Sequence, residues 1–256
     1  MTKLRGLPAV AACAAMLVML ALCRPAAAQE SNIDDWIRFS GYIWILRNTE
    51  EPAGPMNNRF AGDGRSVVLN PDKSLTLTLS RQGTRYYGGE AVLSRALGYG
   101  TYIFRVRTGL ERLDPNLVLG LFSYSNRDKK GFDEVDIEFS AWGMPDLPVR
   151  GQYAVQPYSL DGHLSLFDLD PGGGMTSYSF DWGKDRIEFL SWKGYGPRPA
   201  TGSPSILSAW TFAGVRDMPD PRRASICMNL YLADKPGPAG SGLTSVVIDS
   251  FQFLKK

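Results

Sequence analysis

Acidic residues recur at every second position in Phe132-Asp133-Glu134-Val135-Asp136-Ile137-Glu138-Phe139. A period of two puts Glu134, Asp136 and Glu138 on one face of a strand and Val135, Ile137 and Phe139 on the other. The apolar set is β-branched or aromatic, as a strand backed onto a core requires. The acidic set is the anomaly, because like charges about 6.6 Å apart along a strand repel and give a sheet nothing in return. Glycoside hydrolysis gives such a set a task, since it needs two carboxyl groups flanking one bond, about 5 to 5.5 Å apart in retaining enzymes. Glu134 and Glu138 lie roughly 13 Å apart at Cα on an extended strand, a gap that two inclined side chains can largely close. Asp136 between them would raise a neighbouring carboxyl's pKa and so keep a proton donor charged with its proton near neutrality. A solvated strand face and a calcium site are the two other uses of the same residues.

Such a strand needs partners, and the rest of the chain supplies them. Aromatic and β-branched residues fill 34–47, with Gly41 as a break or bulge and with Trp36 and Trp44 expected in the core. The Pro- and Gly-rich stretch 51–64 is a loop whose Asn57, Asn58 and Arg59 form one rim of a cleft. Val67-Val68-Leu69, a turn at 70–73 and the alternating Leu75 to Leu79 read as strand, turn and strand. Further strands are expected at 86–95, 98–107, 117–125, 153–158, 177–182, 187–192, 222–232 and 245–254, whereas 194–222 is loop with a short strand at Trp210-Thr211-Phe212. Short strands at intervals of about ten residues, with almost no helical periodicity, make an all-β sandwich.

Several of these segments together resemble glycoside hydrolase family 16, the laminarinases, lichenases and agarases. Glu134-Val135-Asp136-Ile137-Glu138 is similar to its Glu-x-Asp-x-Glu signature, and Gly98-Tyr99-Gly100-Thr101-Tyr102 to Arg107 resembles the strand that precedes it by two. Gln156, the Tyr178 to Trp182 strand and Met228-Asn229-Leu230 fit the same order. The resemblance implies a concanavalin A-like β-jelly roll of two antiparallel sheets with a cleft on the concave face. It implies Glu134 as nucleophile, Glu138 as acid/base and Asp136 as the residue that tunes them. Substrate contacts are expected from Trp142, Gln156, Tyr158, Tyr124 and Asn229, the aromatic rings stacking on sugar C–H faces and the polar groups bonding hydroxyls. Asp249 lies where relatives sometimes hold a structural calcium, so that ion is the one metal considered, and no organic cofactor is needed. One departure is Thr176, where many members carry His two residues before Tyr178.

Compartment follows from the first residues. Lys3 and Arg5, an apolar run from Ala9 to Leu22 and Ala26-Ala27-Ala28 form a secretory signal peptide over 1–28, its apolar run too short for a membrane anchor. The expected mature domain is then 29–256, secreted or periplasmic. Removing Lys3, Arg5 and Arg24 from 28 basic residues leaves 25 against 26 acidic ones, a balance with no electrostatic case for nucleic acid. Cys227 would remain alone, and a single histidine, His163, excludes a zinc or thiol site of the usual kind. A monomer acting on a polysaccharide is expected, with endo-acting, retaining hydrolysis of a β-linked polymer as the reaction. Transglycosylation by the same residues and a non-catalytic carbohydrate-binding protein on the same scaffold are the alternatives.

Overall fold

The computed structural model describes residues 35–62, 64–125, 133–170, 172–214 and 218–256. The leader expected at 1–28 and Phe132 of the acidic stretch lie outside them. The alternating start of the chain folds as β1 (Trp36–Phe39) and β2 (Tyr42–Leu46). Ser40 and Gly41 join them at φ 52° and 83°, the two left-handed residues of a tight hairpin, so Gly41 marks a turn. Next come β3 (Val67–Leu69), β4 (Leu75–Thr78), β5 (Ser80–Gln82), β6 (Arg85–Tyr87), β7 (Gly89–Leu93), β8 (Gly100–Val106), β9 (Leu117–Tyr124) and β10 (Val135–Ser140). They are followed by β11 (Gly151–Val155), β12 (Leu164–Phe167), β13 (Thr176–Trp182), β14 (Arg186–Lys193), β15 (Ile206–Ala213), β16 (Ser225–Leu232) and β17 (Ser245–Lys255).

Two sheets stack as a jelly-roll sandwich. One runs β1-β2-β7-β16-β9-β10-β11-β12, the other β15-β14-β13-β8-β17-β4-β3, with β5 and β6 as a separate small hairpin. Neighbouring strands within each are antiparallel. The core between them takes Val135, Ile137, Phe139, Leu119 and Leu121 from the first sheet and Phe104, Phe180, Trp182, Ile248 and Phe251 from the second. Alternation decides which side of a strand meets this core. The catalytic candidates therefore sit on the outer face of the eight-stranded sheet because their neighbours are apolar.

Three expectations are corrected here. Trp44 is fully buried, but Trp36 is 45% exposed on the outer side of β1, since Phe39 and Ile37 take the inward positions. Residues 206–213 form a full eight-residue strand at the sheet edge, where loop flanking a short strand was expected, because pairing with β14 satisfies its backbone. In β17 the register against β8 shifts between Ile248 and Ser250, which lets both Ile248 and Phe251 point inward and pushes Asp249 out. A strict period of two had placed Asp249 with Phe251, and a bulge is the local device that breaks that parity.

Phe251 is where the halves of the sandwich meet. Its ring lies 5.2 Å from that of Trp44 and 5.3 Å from those of Tyr42 and Phe104, in edge-on or tilted geometry. Phe251→Ala is expected to cost about 3–5 kcal/mol, read as a lower urea midpoint at unchanged slope. Leu254→Ala, at a position 48% exposed, is expected to stay within about 0.5 kcal/mol of wild type.

Candidate active site

The site is built on β10. Val135, Ile137 and Phe139 are fully buried in the core, and this fixes Asp136 and Glu138 on the opposite face. Glu134 directly precedes the strand and keeps its pairing, its carbonyl accepting the Gln156 amide N–H at 3.0 Å. Although they face outward, Asp136 and Glu138 are only 3% and 8% exposed, and Glu134 is half-buried, so the three carboxyls lie below the surface.

Neighbouring strands deliver neutral donors to them. Glu138 faces Gln152 across β11 and Gly120 across β9. Gln152 Nε2 donates to Glu138 Oε2 at 2.6 Å, and the Tyr231 hydroxyl makes a long contact of 3.5 Å to Oε1. Gln156 Nε2 donates to Asp136 Oδ2 at 3.1 Å while its Oε1 accepts from the Tyr158 backbone N–H at 3.1 Å. Asp136 and Glu134 share a side-chain hydrogen bond.

Burial acts on all three groups in the same direction. Glu134 is pushed up to about 8 by loss of water and then by the charge of Glu138, against the hydrogen bond from Asp136, which pulls it down. Glu138 is pushed up to about 7 by burial, with the Gln152 and Tyr231 donors opposing. Asp136 is raised well above the usual carboxylate range, by burial first and then by the charges of Glu134 and Glu138. Groups coupled this closely titrate as a set. The hydrogen bond between Asp136 and Glu134 raises the first and lowers the second, so within this pair Asp136 is the proton donor and Glu134 the acceptor.

A second polar group lies along the same row of the sheet. Registers align Glu138, Gly120, Asn229 and Glu90 on four adjacent strands. Arg47 Nη1 reaches both Glu90 oxygens at 3.2 Å, with its guanidinium 4.4 Å over the Phe60 ring. Glu90 in turn accepts from Asn229 Nδ2 at 3.1 Å, leaving Asn229 Oδ1 buried with no partner among the described residues. A Cβ on Gly120 would come within 2.5 Å of that oxygen. Gly120 thus leaves room for that buried, unfilled acceptor beside the acids.

The other expected residues are placed as follows. Trp142, at φ 51°, is half-buried against Phe60, Val118, Tyr231 and Ala233 on the site side of the sheet. Tyr158 and Tyr124 are half-exposed at strand ends next to the acids. Gln156 serves Asp136 rather than presenting a free amide. Asn58 is not a rim ligand: its side chain is buried and pairs with both backbone groups of Leu232, at 2.8 and 3.0 Å. Thr176 stands on the second sheet at the core-facing parity of Tyr178, so the missing histidine lies on the sheet that does not carry the acids.

Asp249, expected as a calcium ligand, pairs with protein groups in this structure. Its carboxylate accepts from the Arg107 guanidinium and from the Tyr195 hydroxyl. Arg107 also pairs with Asp72 at 2.9 Å, which hydrogen bonds from Ser74 and then from Arg107 hold down at about 2. Among the described residues no three His, Cys, Asp or Glu side chains are grouped to hold a metal. Sequence reasoning missed Gln152, Tyr231, Glu90 and Arg47. Gln152 shares strand parity with Gln156 and Tyr231 with Asn229, both already singled out, but the register that brings these residues to the acids is not written in any one segment.

No profile of a known protein family matches the chain, and neither does any curated relative. Solved structures do. A β-glucanase of Bacillus licheniformis superposes with a TM-score of 0.59 at 17% identity, covering 89% of this chain and 95% of that one. An immunostimulatory antigen and pseudo β-1,3-glucanase of Mycobacterium tuberculosis gives 0.60 at 19% identity, covering 83% and 91%. A glycosyl hydrolase family 16 protein of Mycobacterium smegmatis gives 0.54 at 16%, covering 82% and 91%. The chain has the fold of the family 16 glucanases. That fold places the three acids on its outer sheet face, in line with the resemblance carried by the short motif.

Carboxyls whose pKa is raised by folding bind protons more tightly folded than unfolded. Their contribution to stability is full below about pH 4.5 and is lost as pH climbs towards 7 to 8. Relative to wild type, Glu138→Gln is therefore expected to be unchanged near pH 4 and stabilised by roughly 2–3 kcal/mol near pH 8. Urea denaturation at the two pH values checks this; an equal difference at both would show Glu138 to titrate normally.

Proposed function

We propose that the protein is an exported, endo-acting glycoside hydrolase that cleaves a β-linked polysaccharide with retention of configuration. The observation that carries this reading is the sunken triplet itself: three carboxyls with raised proton affinity, two of them wired to each other and the third held by Gln152. A binding protein has no use for a buried proton donor. In the first step Glu134 attacks the anomeric carbon as Glu138 passes its proton to the departing oxygen, which leaves a glycosyl ester on Glu134. In the second, Glu138, now charged, takes a proton from water, and the hydroxyl displaces Glu134 from the opposite face, the one the first leaving group vacated. Asp136 donates to Glu134 and so favours its departure as a carboxylate. Eight strands span about 34 Å at 4.8 Å each, and an outer face of that width suits the interior of a polymer rather than a chain end.

One observation favours a second reading, a glycan-binding protein without catalysis: a structure of the same fold is described as a pseudo β-1,3-glucanase. Reducing-sugar release from laminarin, lichenan, agar and carrageenan separates the two. Wild type is expected to act on at least one, first releasing the β-anomer by proton NMR. Glu134→Gln and Glu138→Gln are expected to lose at least a thousandfold in kcat on that polymer with unchanged circular dichroism. Binding without turnover, unaffected by either variant, would establish the binding protein instead.

A further inference from the structure

Alongside the polar row that ends at Glu90 runs a second one of different character. Strand registers align Asp136 with Phe122, Cys227, Val92, Ile45 and Trp36 on six successive strands, ending at the sheet edge. Every member but Asp136 is apolar. A sheet face that met only water would alternate to polar residues at these positions. Yet beyond the buried Cys227 the row opens towards the edge, with Ile45 at 41% and Trp36 at 45%, and Ile43 beside them at 39%. Burial cannot explain large apolar side chains left open in this way, and neither can packing between the sheets, which uses the opposite parity.

From the edge of β1 to the acids is five strand spacings, about 24 Å. Over that distance the apolar row is one residue wide, and the polar row beside it, Asn229 and Glu90, is buried. A protein partner would call for a broader apolar patch with a polar rim. A lipid surface would call for apolar side chains spread over an area rather than set along one line. A glycan chain has the matching cross-section, with C–H faces that rest on apolar or aromatic surface and hydroxyl edges that turn towards donors and acceptors.

We propose that Trp36, backed by Ile45, is a remote stacking platform for the same polysaccharide chain that is cut at Glu134 and Glu138, so that the protein selects long substrates. This rests on the hydrolase reading and extends it to substrate length. Trp36 touches no reacting atom, and it acts on binding alone.

The test uses whichever of laminarin, lichenan, agar or carrageenan the wild type cleaves, together with the trisaccharide of the same linkage, which is too short to reach β1 from the acids. For Trp36→Ala, KM on the polymer is expected to rise about three- to tenfold with kcat unchanged, from loss of one stacking contact. Turnover of the trisaccharide is expected to stay the same, and Trp36→Phe to restore the polymer KM. Ile45→Ser, at a second exposed site, is expected to move KM in the same direction, which guards against a folding defect in Trp36→Ala. Polymer KM equal to wild type in both variants would overturn the platform while leaving the hydrolase standing. So would equal losses on polymer and trisaccharide, or a shift from dimer to monomer on size exclusion, which would assign the face to a second copy of the chain. Absence of cleavage on all four polymers removes both readings together.

Discussion

Everything at the site depends on three like-charged groups being sunk beneath one face of a single strand. Taking carboxylates out of water is costly, and Coulomb repulsion between them adds to the cost. This fold meets that load with protons and with neutral donors from the strands on either side. Gln152, Gln156 and the more distant Tyr231 hold the carboxyl oxygens in place without neutralising them fully, as an arginine would. The full ion pair is kept one step away, where Arg47 grips Glu90. Charge at the acids therefore stays adjustable, a condition that acid and base chemistry by one residue requires.

The sheet register is what turns that load into an arrangement. A strand in isolation orders its own side chains front and back, but only the neighbours decide what lies beside each carboxyl. β16, which comes late in the chain, inserts between β7 and β9 and brings Asn229 next to Gly120 and Tyr231 within reach of Glu138. The empty side of Gly120 is part of the same plan, since any side chain there would fill the space that Asn229 faces. Beneath, the aromatic packing around Phe251 and Phe104 keeps the second sheet fixed against the first, so that the outer face has a firm floor.

Local chemistry made part of this legible in the sequence. Strict alternation around Val135, Ile137 and Phe139 is enough to read the strand, its buried side and the acidic side. Spacing of short strands and turn residues is enough to read a sandwich. What the chain does not reveal segment by segment is long-range pairing: Gln152 lies fourteen residues from Glu138 and Tyr231 ninety-three. The surroundings of Asp249 are hidden for a related reason. One extra residue in β17 reverses parity beyond it, and the partners that claim its carboxylate, Arg107 and Tyr195, come from distant parts of the chain. Trp36 was assigned to the core on residue type, whereas its position at a sheet edge was decided by which neighbours, Ile37 and Phe39, turn inward.

Asn58 carries one more implication. By offering an amide oxygen and an amide nitrogen to both sides of Leu232, it stands in for a missing strand and welds the 51–62 segment to the end of β16. A second anchor lies just beyond, where Arg59 and Ala61 bond the two backbone groups of Gly88 and the Phe60 ring packs against Val118 and Tyr231. Between and before these anchors, exposed positions such as Glu51 and Asn57 carry little of the load. Descendants of this chain can redraw those positions to suit a new polymer while the machinery under them stays aligned, so long as both anchors are preserved.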